Sequence, residues 1–292
     1  MEWSNFAWEA HFAREAQKEA LYVPVKLDFD PSTYWLQLDT GCNKSVIYDA
    51  PLRQLTGQTA FKDEYFVLNG KIGNYEFKNE RFRIIKDYDN GSSPSEKRNE
   101  IGVLGLSFFA RRILTIDYPN ERFCVCDSLA KLPEELVKKT RFAGVRIRHG
   151  KLFLEELRFR DKPLTGIFFD TGASQFTLVL LQEHRWQKLT GKKGNEKDNH
   201  YLEVPAWGGE KVTLVGAKAK GILKLGDLEI EDPMIYFDSH IPASGVKSLL
   251  VRVGIRIFGV NGIMGNAPFY DEYTVILDLQ QNRFGFSKSL KA

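Results

Sequence analysis

The sequence reads Leu36-Gln-Leu-Asp39-Thr40-Gly41-Cys-Asn43-Lys-Ser-Val-Ile47 in its first half. A similar segment follows in the second half, and it reads Ile167-Phe-Phe-Asp170-Thr171-Gly172-Ala-Ser174-Gln-Phe-Thr-Leu178. In both segments an apolar run leads into Asp-Thr-Gly. Burying one carboxylate at the end of an apolar strand is costly unless the group is paired or shares its proton. The repetition therefore predicts that the two aspartates meet.

A second pair of similar segments lies further along each half. The first contains Gly102-Val-Leu-Gly105, Phe109, Thr115-Ile-Asp117, Asn120 and Arg122-Phe123; the second contains Gly262-Ile-Met-Gly265, Phe269, Val275-Ile-Leu-Asp278, Asn282 and Arg283-Phe284. Two separate signatures that recur in the same order indicate an internal duplication. We predict two similar β lobes, over residues 21–140 and 141–292, preceded by an N-terminal helix over 1–20.

Local patterns indicate a mostly β protein. Short runs of β-branched and aromatic residues predict strands, among them 21–27, 81–85, 151–154, 221–225 and 274–277. Helical periodicity is confined to three regions, 5–20, 128–141 and 180–190, and the second of these predicts the linker between the lobes. The polar run 89–98 predicts an exposed loop.

The composition argues against several classes of function. The 292 residues include 41 Lys and Arg against 38 Asp and Glu, so the formal net charge is only +3. Both signs are interspersed, which is unlike the basic face of a nucleic-acid-binding protein. No apolar run is long enough to span a membrane. Three cysteines (Cys42, Cys124 and Cys126) are too few for a disulfide framework, and we expect all three to be free.

The repeated Asp-Thr-Gly has a chemical rationale. A glycine after the aspartate and threonine lets the chain turn sharply and exposes backbone N–H groups beside the carboxylate. The threonine hydroxyls, from Thr40 and Thr171, can form hydrogen bonds across an interface between the lobes. Two carboxylates brought face to face, Asp39 and Asp170, cannot both ionise, so the pair holds one proton and titrates as a unit. Such a pair can activate water for attack on an amide carbonyl.

These motifs resemble those of the pepsin-like aspartic peptidases, two-lobed and related to retropepsins, and the likeness is to the bacterial type. The resemblance covers most of residues 20–290. It implies two β-barrel-like lobes with a catalytic cleft between them, and an endopeptidase that needs neither metal nor cofactor. It implies that Asp39 and Asp170 are the catalytic pair, that Gly41 and Gly172 shape their turns, and that the apolar-apolar-Gly motifs buttress those turns.

The resemblance is incomplete in two places. The family often has a hydroxyl residue two positions after the catalytic glycine, where it bonds the outer carboxylate oxygen; here Ser174 matches and Asn43 departs. The family also closes its cleft with a first-lobe hairpin that usually carries a tyrosine, but the matching region, 52–62, contains none. A Gly-Gly turn in the second lobe carries Trp207, which we interpret as a candidate cap over the cleft.

Other catalytic constellations are not supported. The five histidines are scattered, with no zinc-binding His-Glu-x-x-His, and no Gly-x-Ser-x-Gly elbow indicates a serine esterase. Cys42 adjoins the first Asp-Thr-Gly without an obvious histidine partner, so we interpret it as a packed side chain. Asp117 and Asp278 lie on late strands, where we expect structural hydrogen bonds.

The expected partner is a peptide or protein substrate, bound in extended form by a monomer. One alternative is a catalytically silent peptide-binding module with the same fold, which the missing flap tyrosine and Asn43 favour. Another is a glycosidase with a carboxylate pair, although matched Asp-Thr-Gly turns favour a closer approach than its chemistry requires. The compartment stays open between a secreted or periplasmic location, with a signal removed, and a cytoplasmic one.

Overall fold

A computed structural model of the chain describes residues 2–9, 18–86, 99–205, 211–239 and 258–290. The strands of the first half are β1 (Ser4–Asn5), β2 (Ala7–Glu9), β3 (Ala20–Leu27), β4 (Asp30–Asp39), β5 (Val46–Tyr48), β6 (Tyr65–Ile72), β7 (Tyr75–Ile85), β8 (Glu100–Gly105), β9 (Ile113–Asp117) and β10 (Arg122–Cys126). Its helices are α1 (Asp49–Thr56), α2 (Glu134–Lys139) and the short 3-10 helices Leu106–Phe109 and Leu129–Lys131. The predicted β character is confirmed.

The second half is also built mainly of short strands. Its strands are β11 (Arg141–Arg148), β12 (Lys151–Leu154), β13 (Leu157–Phe159), β14 (Lys162–Pro163), β15 (Ile167–Phe169), β16 (Leu178–Leu180), β17 (His200–Pro205), β18 (Lys211–Lys218), β19 (Ile222–Leu225), β20 (Leu228–Glu231), β21 (Met234–Asp238), β22 (Gly262–Met264), β23 (Tyr273–Asp278) and β24 (Arg283–Lys288). Its helices are α3 (Glu183–Thr190) and the 3-10 helix Ala267–Phe269.

The two halves share one pattern of strand pairing, which is the structural form of the sequence repeat. In the first half β4 pairs with β8 in parallel, β5 pairs with β8 antiparallel, and β5 pairs with β7 in parallel. In the second half β15, β16, β21 and β22 repeat these three pairings in the same senses. A helix, α1 or α3, follows the equivalent strand in each half. The prediction of two similar lobes is thereby confirmed.

One continuous sheet joins the two halves. Four neighbouring strands of this sheet are β10, β9, β23 and β24, in that order, and β9 pairs with β23 antiparallel. Asp117 lies opposite Thr274, Thr115 opposite Ile276, and Ile113 opposite Asp278, so the register reads the same from either half. The boundary near residues 127–142 stays a prediction.

The two late aspartates have the structural role that we expected. Arg122 Nε donates to Asp117 Oδ2 at 2.7 Å, and Arg283 Nη2 donates to Asp278 Oδ2 at 2.5 Å. Both carboxylates are almost fully buried. Each ion pair closes the turn between two neighbouring strands, since a buried charge needs such a partner.

The core places the Asp-Thr-Gly turns at the ends of buried strands. Leu38 and Phe169, which directly precede the two aspartates, are both fully buried. Asp39 and Asp170 are themselves only partly buried, although the threonines that follow them are fully buried. The two carboxylates therefore lie where the interior meets solvent.

The N-terminal helix that we predicted over residues 1–20 is wrong for the part that the structure describes. Residues 4–5 and 7–9 form strands, with Ser4 paired to Phe123 and Trp8 paired to Leu21. The rings of Phe6 and Trp8 lie 6.4 Å and 6.3 Å from that of Tyr118. This aromatic packing, together with strand pairing to β10 and β3, stabilises the strands more than the weak helical pattern of the sequence favours a helix.

The other local predictions have mixed outcomes. Helices α2 and α3 confirm the helical patterns of residues 128–141 and 180–190, and strands form in all five runs predicted as strands, with β19 beginning one residue late, at Ile222. Residues 10–17 and the whole of the predicted loop at 89–98 lie outside the described residues. Within the part of the chain that the structure describes, no helix has the length and apolar character needed to cross a membrane.

Candidate active site

Each Asp-Thr-Gly turn is held by the glycine motif of its own half. Asp39 lies opposite Gly105 in the parallel pair β4–β8, and the Asp170 N–H donates to the Met264 carbonyl at 2.9 Å. A β-carbon on Gly105 would lie only 2.6 Å from the Lys44 carbonyl group. The motif threads against the turn because glycine leaves that space empty. The predicted buttress is present in this geometry.

The two threonines form a reciprocal hydrogen-bond network between the halves. The Thr40 N–H donates to Thr171 Oγ1 at 2.9 Å, and the Thr171 N–H donates to Thr40 Oγ1 at 3.0 Å. The hydroxyls donate in turn to the carbonyls of Phe169 and Leu38, at 3.3 and 2.8 Å. Both threonines are fully buried, so these bonds satisfy polar groups that water does not reach.

Backbone N–H groups from both turns hold the carboxylates. Asp170 Oδ1 accepts from Gly172 N at 2.7 Å and, across the interface, from Gly41 N at 3.1 Å. Asp39 Oδ1 accepts from Cys42 N at 2.9 Å. A β-carbon on Gly172 would lie 2.8 Å from Asp39 Cγ, and one on Gly41 would overlap the Asp170 carboxylate. Each glycine therefore makes room for the aspartate of the other half.

The electrostatics of the pair favour one shared proton. Burial, the negative charge of Asp170 and a hydrogen bond with Asp170 raise the pKa of Asp39 well above its ordinary value. The Cys42 N–H and the Lys151 ammonium group oppose that rise in pKa. The coupled pair titrates as a unit, and two backbone N–H groups, those of Gly41 and Gly172, donate to Asp170 Oδ1.

The residues two positions after the glycines do not act as the resemblance implied. Ser174 donates its one hydroxyl proton to the Thr171 carbonyl at 2.8 Å, so it cannot also donate to Asp170. Asn43 is exposed and lies against Gly150 of the second half, where a β-carbon on that glycine would overlap its amide. Both residues therefore brace the turns by contacting backbone.

Two further residues reach the turns, and the sequence analysis did not identify them. Asn266 Nδ2 donates to the Thr171 carbonyl at 2.8 Å, and its Oδ1 accepts from the Tyr118 hydroxyl at 2.7 Å. Lys151 donates to the carbonyl oxygen of Gly41. Asn266 could have been found, because it follows the repeated motif at Gly265. Nothing in the sequence around Lys151 marks it.

The region matched to the family's flap does not form a hairpin. Helix α1 runs through Thr56, and residues 57–64 contain neither helix nor strand. The next hairpin, β6–β7, turns at Gly73, where a β-carbon would meet Ser4 and Phe123. That turn therefore packs on the sheet of β1 and β10. Trp207 lies outside the described residues, so its role as a cap stays a prediction.

Cys42 has the properties of a packed thiol. Its Sγ donates to the Lys44 carbonyl at 3.0 Å. Burial, followed by the charge of Asp39, raises the pKa of Cys42 to about 11. We expect iodoacetamide to alkylate it at pH 7.5 about two orders of magnitude more slowly than a free thiol, because only the thiolate reacts. Mass spectrometry of the Cys42 peptide over time checks this, and labelling at the rate of free cysteine would contradict it.

Comparison with known proteins identifies a fold but no family. No protein-family model and no curated protein matches the sequence. Among solved structures, conglutin gamma, a basic 7S globulin from lupine seeds, is similar with a TM-score of 0.54 and 12% identity, over 98% of this chain and 94% of that one. Basic 7S globulin from soybean is similar with a TM-score of 0.54 and 10% identity, over 98% and 93%. At such identities the likeness concerns the fold alone, and the chain has the mostly β, two-lobed pepsin-like fold that its internal repeat predicts.

Proposed function

We propose that this chain is an aspartic-type endopeptidase, in which Asp39 and Asp170 together activate water for attack on a peptide bond. One observation carries the proposal: each Asp-Thr-Gly turn lies against the carboxylate of the other half, because Gly41 N–H donates to Asp170 Oδ1 at 3.1 Å and a β-carbon on Gly172 would lie 2.8 Å from Asp39 Cγ. The charge of Asp170 and a hydrogen bond with it help to raise the pKa of Asp39. Both groups are partly exposed, so solvent and substrate can reach them. No metal or cofactor is required by this chemistry.

The hydrogen bonds support distinct roles for the two carboxylates. Asp170, stabilised as an anion by Gly41 N–H and Gly172 N–H, accepts a proton from the attacking water. Asp39 donates its proton to the carbonyl oxygen of the substrate, which gives a neutral tetrahedral diol. Asp170 then passes its proton to the amide nitrogen, and Asp39 recovers one from the diol as the C–N bond breaks. The pair ends as it began, with one proton and one charge.

The natural partner in this proposal is an extended peptide. A strand-like substrate can lie across the groove between the lobes, with alternate side chains directed into pockets. Residues 57–64 form no hairpin. The proposal therefore places the substrate between the lobes without a flap from this segment.

A mixed peptide library tests the proposal directly. Incubation from about pH 3 to about pH 7 should give cleavage products, and a statine-type inhibitor, which mimics the tetrahedral diol, should abolish them. Peptides that remain intact at every pH, or cuts that the inhibitor leaves unchanged, would contradict it.

The second candidate is a peptide-binding module that does not hydrolyse its ligand. The lack of a hairpin over 52–62 supports it. The comparisons support it more than they support hydrolysis, because both similar structures are named as basic 7S globulins. Binding of library peptides without any cleavage, detected by mass spectrometry of the captured fraction, would favour this candidate.

A further inference from the structure

Lys151 connects the second half of the chain to the Asp-Thr-Gly turn of the first half. It is the first residue of β12 and is partly buried. Its ammonium group donates to the carbonyl oxygen of Gly41 and lies 4.9 Å from the centroid of the Phe168 ring. Both contacts hold the charged end of the side chain.

The turn before Lys151 is also fixed against the Asp39 loop. His149 and Gly150 adopt positive φ angles of 51° and 68°, which gives the tight connection between β11 and β12. Asn43 packs so closely on Gly150 that a β-carbon there would overlap its amide. Two contacts, one from Asn43 and one from Lys151, thus hold this turn beside the carboxylate pair.

The charges around the ammonium group make it a suitable counterion. Asp39 and Cys42 face it from the first half, and its positive charge lowers the pKa of both groups. Asp170 completes the pair on the second half. On its own hairpin, Arg148 lies opposite Lys151 in the strand register and donates to His149. A pair with one proton has a charge of −1, which Lys151 balances in a partly buried site where charges interact strongly.

We propose that Lys151 is a positioning residue for the carboxylate pair: it ties the Gly41 carbonyl to the second lobe and holds a positive charge beside Asp39. Removing that charge makes the singly ionised pair less stable relative to the fully protonated pair. The pair then takes up its second proton at a higher pH. The link to catalysis rests on the proposed function, whereas the effect on protonation does not.

The test measures protonation directly. We expect the ¹³C-carboxyl NMR titration of Lys151→Met to move to higher pH by about one unit, a tenfold change in proton affinity. Lys151→Arg, which keeps the charge, should titrate close to the wild type. If peptides are cleaved, the acid limb of the kcat/KM profile should move by the same amount. Because the titration requires no turnover, a chain that proves inactive still tests the proposal.

Two more variants keep the test decisive. Lys162→Met removes one positive charge from an exposed position on β14 and should leave the titration unchanged. Lys151→Gln keeps a donor for the Gly41 carbonyl without the charge, so it should shift the titration as methionine does and replaces that variant if methionine prevents folding. An unchanged titration for Lys151→Met or Lys151→Gln would overturn the proposal, as would an equal shift for Lys162→Met.

Discussion

Asp39→Asn and Asp170→Asn should each lower kcat/KM for peptide hydrolysis by about a thousandfold or more, since the pair acts as one unit in proton transfer. With asparagine at position 39 no proton is available for the substrate carbonyl. With asparagine at position 170 no anion accepts the proton of the attacking water. Steady-state cleavage of a peptide identified in the library measures both losses. Wild-type turnover in either variant would exclude the proposed mechanism.

The thermal stability of Asp39→Asn is the control for its folding. An asparagine at position 39 still accepts from Cys42 N–H through its amide oxygen. Because folding raises the pKa of Asp39, the folded state binds this proton more tightly than the unfolded state does. The contribution of the group to the free energy of unfolding is therefore fully present below its ordinary pKa, and it is lost as the pH rises through the folded-state pKa. We therefore expect Asp39→Asn to melt at or above the wild-type temperature at pH 7, with a smaller advantage at about pH 4.

Gly265→Ala should lower the free energy of unfolding by about 3 kcal/mol or more, because the added methyl group would overlap backbone atoms. It would overlap the Ala173 carbonyl oxygen and lie 2.6 Å from that of Phe176. Both obstacles are backbone atoms of the chain that leads away from Asp170, so no rotamer change relieves the clash. Urea denaturation followed by tryptophan fluorescence measures the loss.

Gly144→Ala is the matched control for that substitution. Gly144 is exposed on β11, and a β-carbon there would find only the Glu155 carboxylate, at 3.7 Å. We expect a change within about 0.5 kcal/mol, the usual range for a surface position. A wild-type unfolding midpoint for Gly265→Ala would show that its glycine motif does not thread against the Asp170 turn as described.

The fold and the carboxylate pair could be predicted because their determinants are local and repeated. The runs before Asp39 and Asp170 are apolar enough to be buried strands, and both are followed by the same glycine turn. The later motifs at Gly105 and Gly265 carry no bulky side chain where the turns must pass. One Asp-Thr-Gly motif alone would be weak evidence for this fold. Two copies in matching apolar contexts, each followed by the same glycine motif, are much stronger evidence.

The remaining features depend on contacts between distant residues. The N-terminal segment forms strands because Phe6 and Trp8 pack against Tyr118. This contact with a distant residue is not visible in the local sequence pattern. Ser174 has the residue type that the resemblance requires, yet its hydroxyl turns to the Thr171 carbonyl. Lys151 contacts the Gly41 carbonyl from the β11–β12 turn, which packs on Asn43, and these residues are more than 100 positions apart in the sequence.

The symmetric register of β9 and β23 has a mechanical consequence. The exchange that maps one strand onto the other, with Thr115 opposite Ile276, also exchanges Thr40 with Thr171. A pseudo-twofold axis therefore passes between β9 and β23 and between the two Asp-Thr-Gly turns. Because an atom moves in proportion to its distance from an axis of rotation, a twist of one lobe about this axis would displace its outermost residues most and the two carboxylates least.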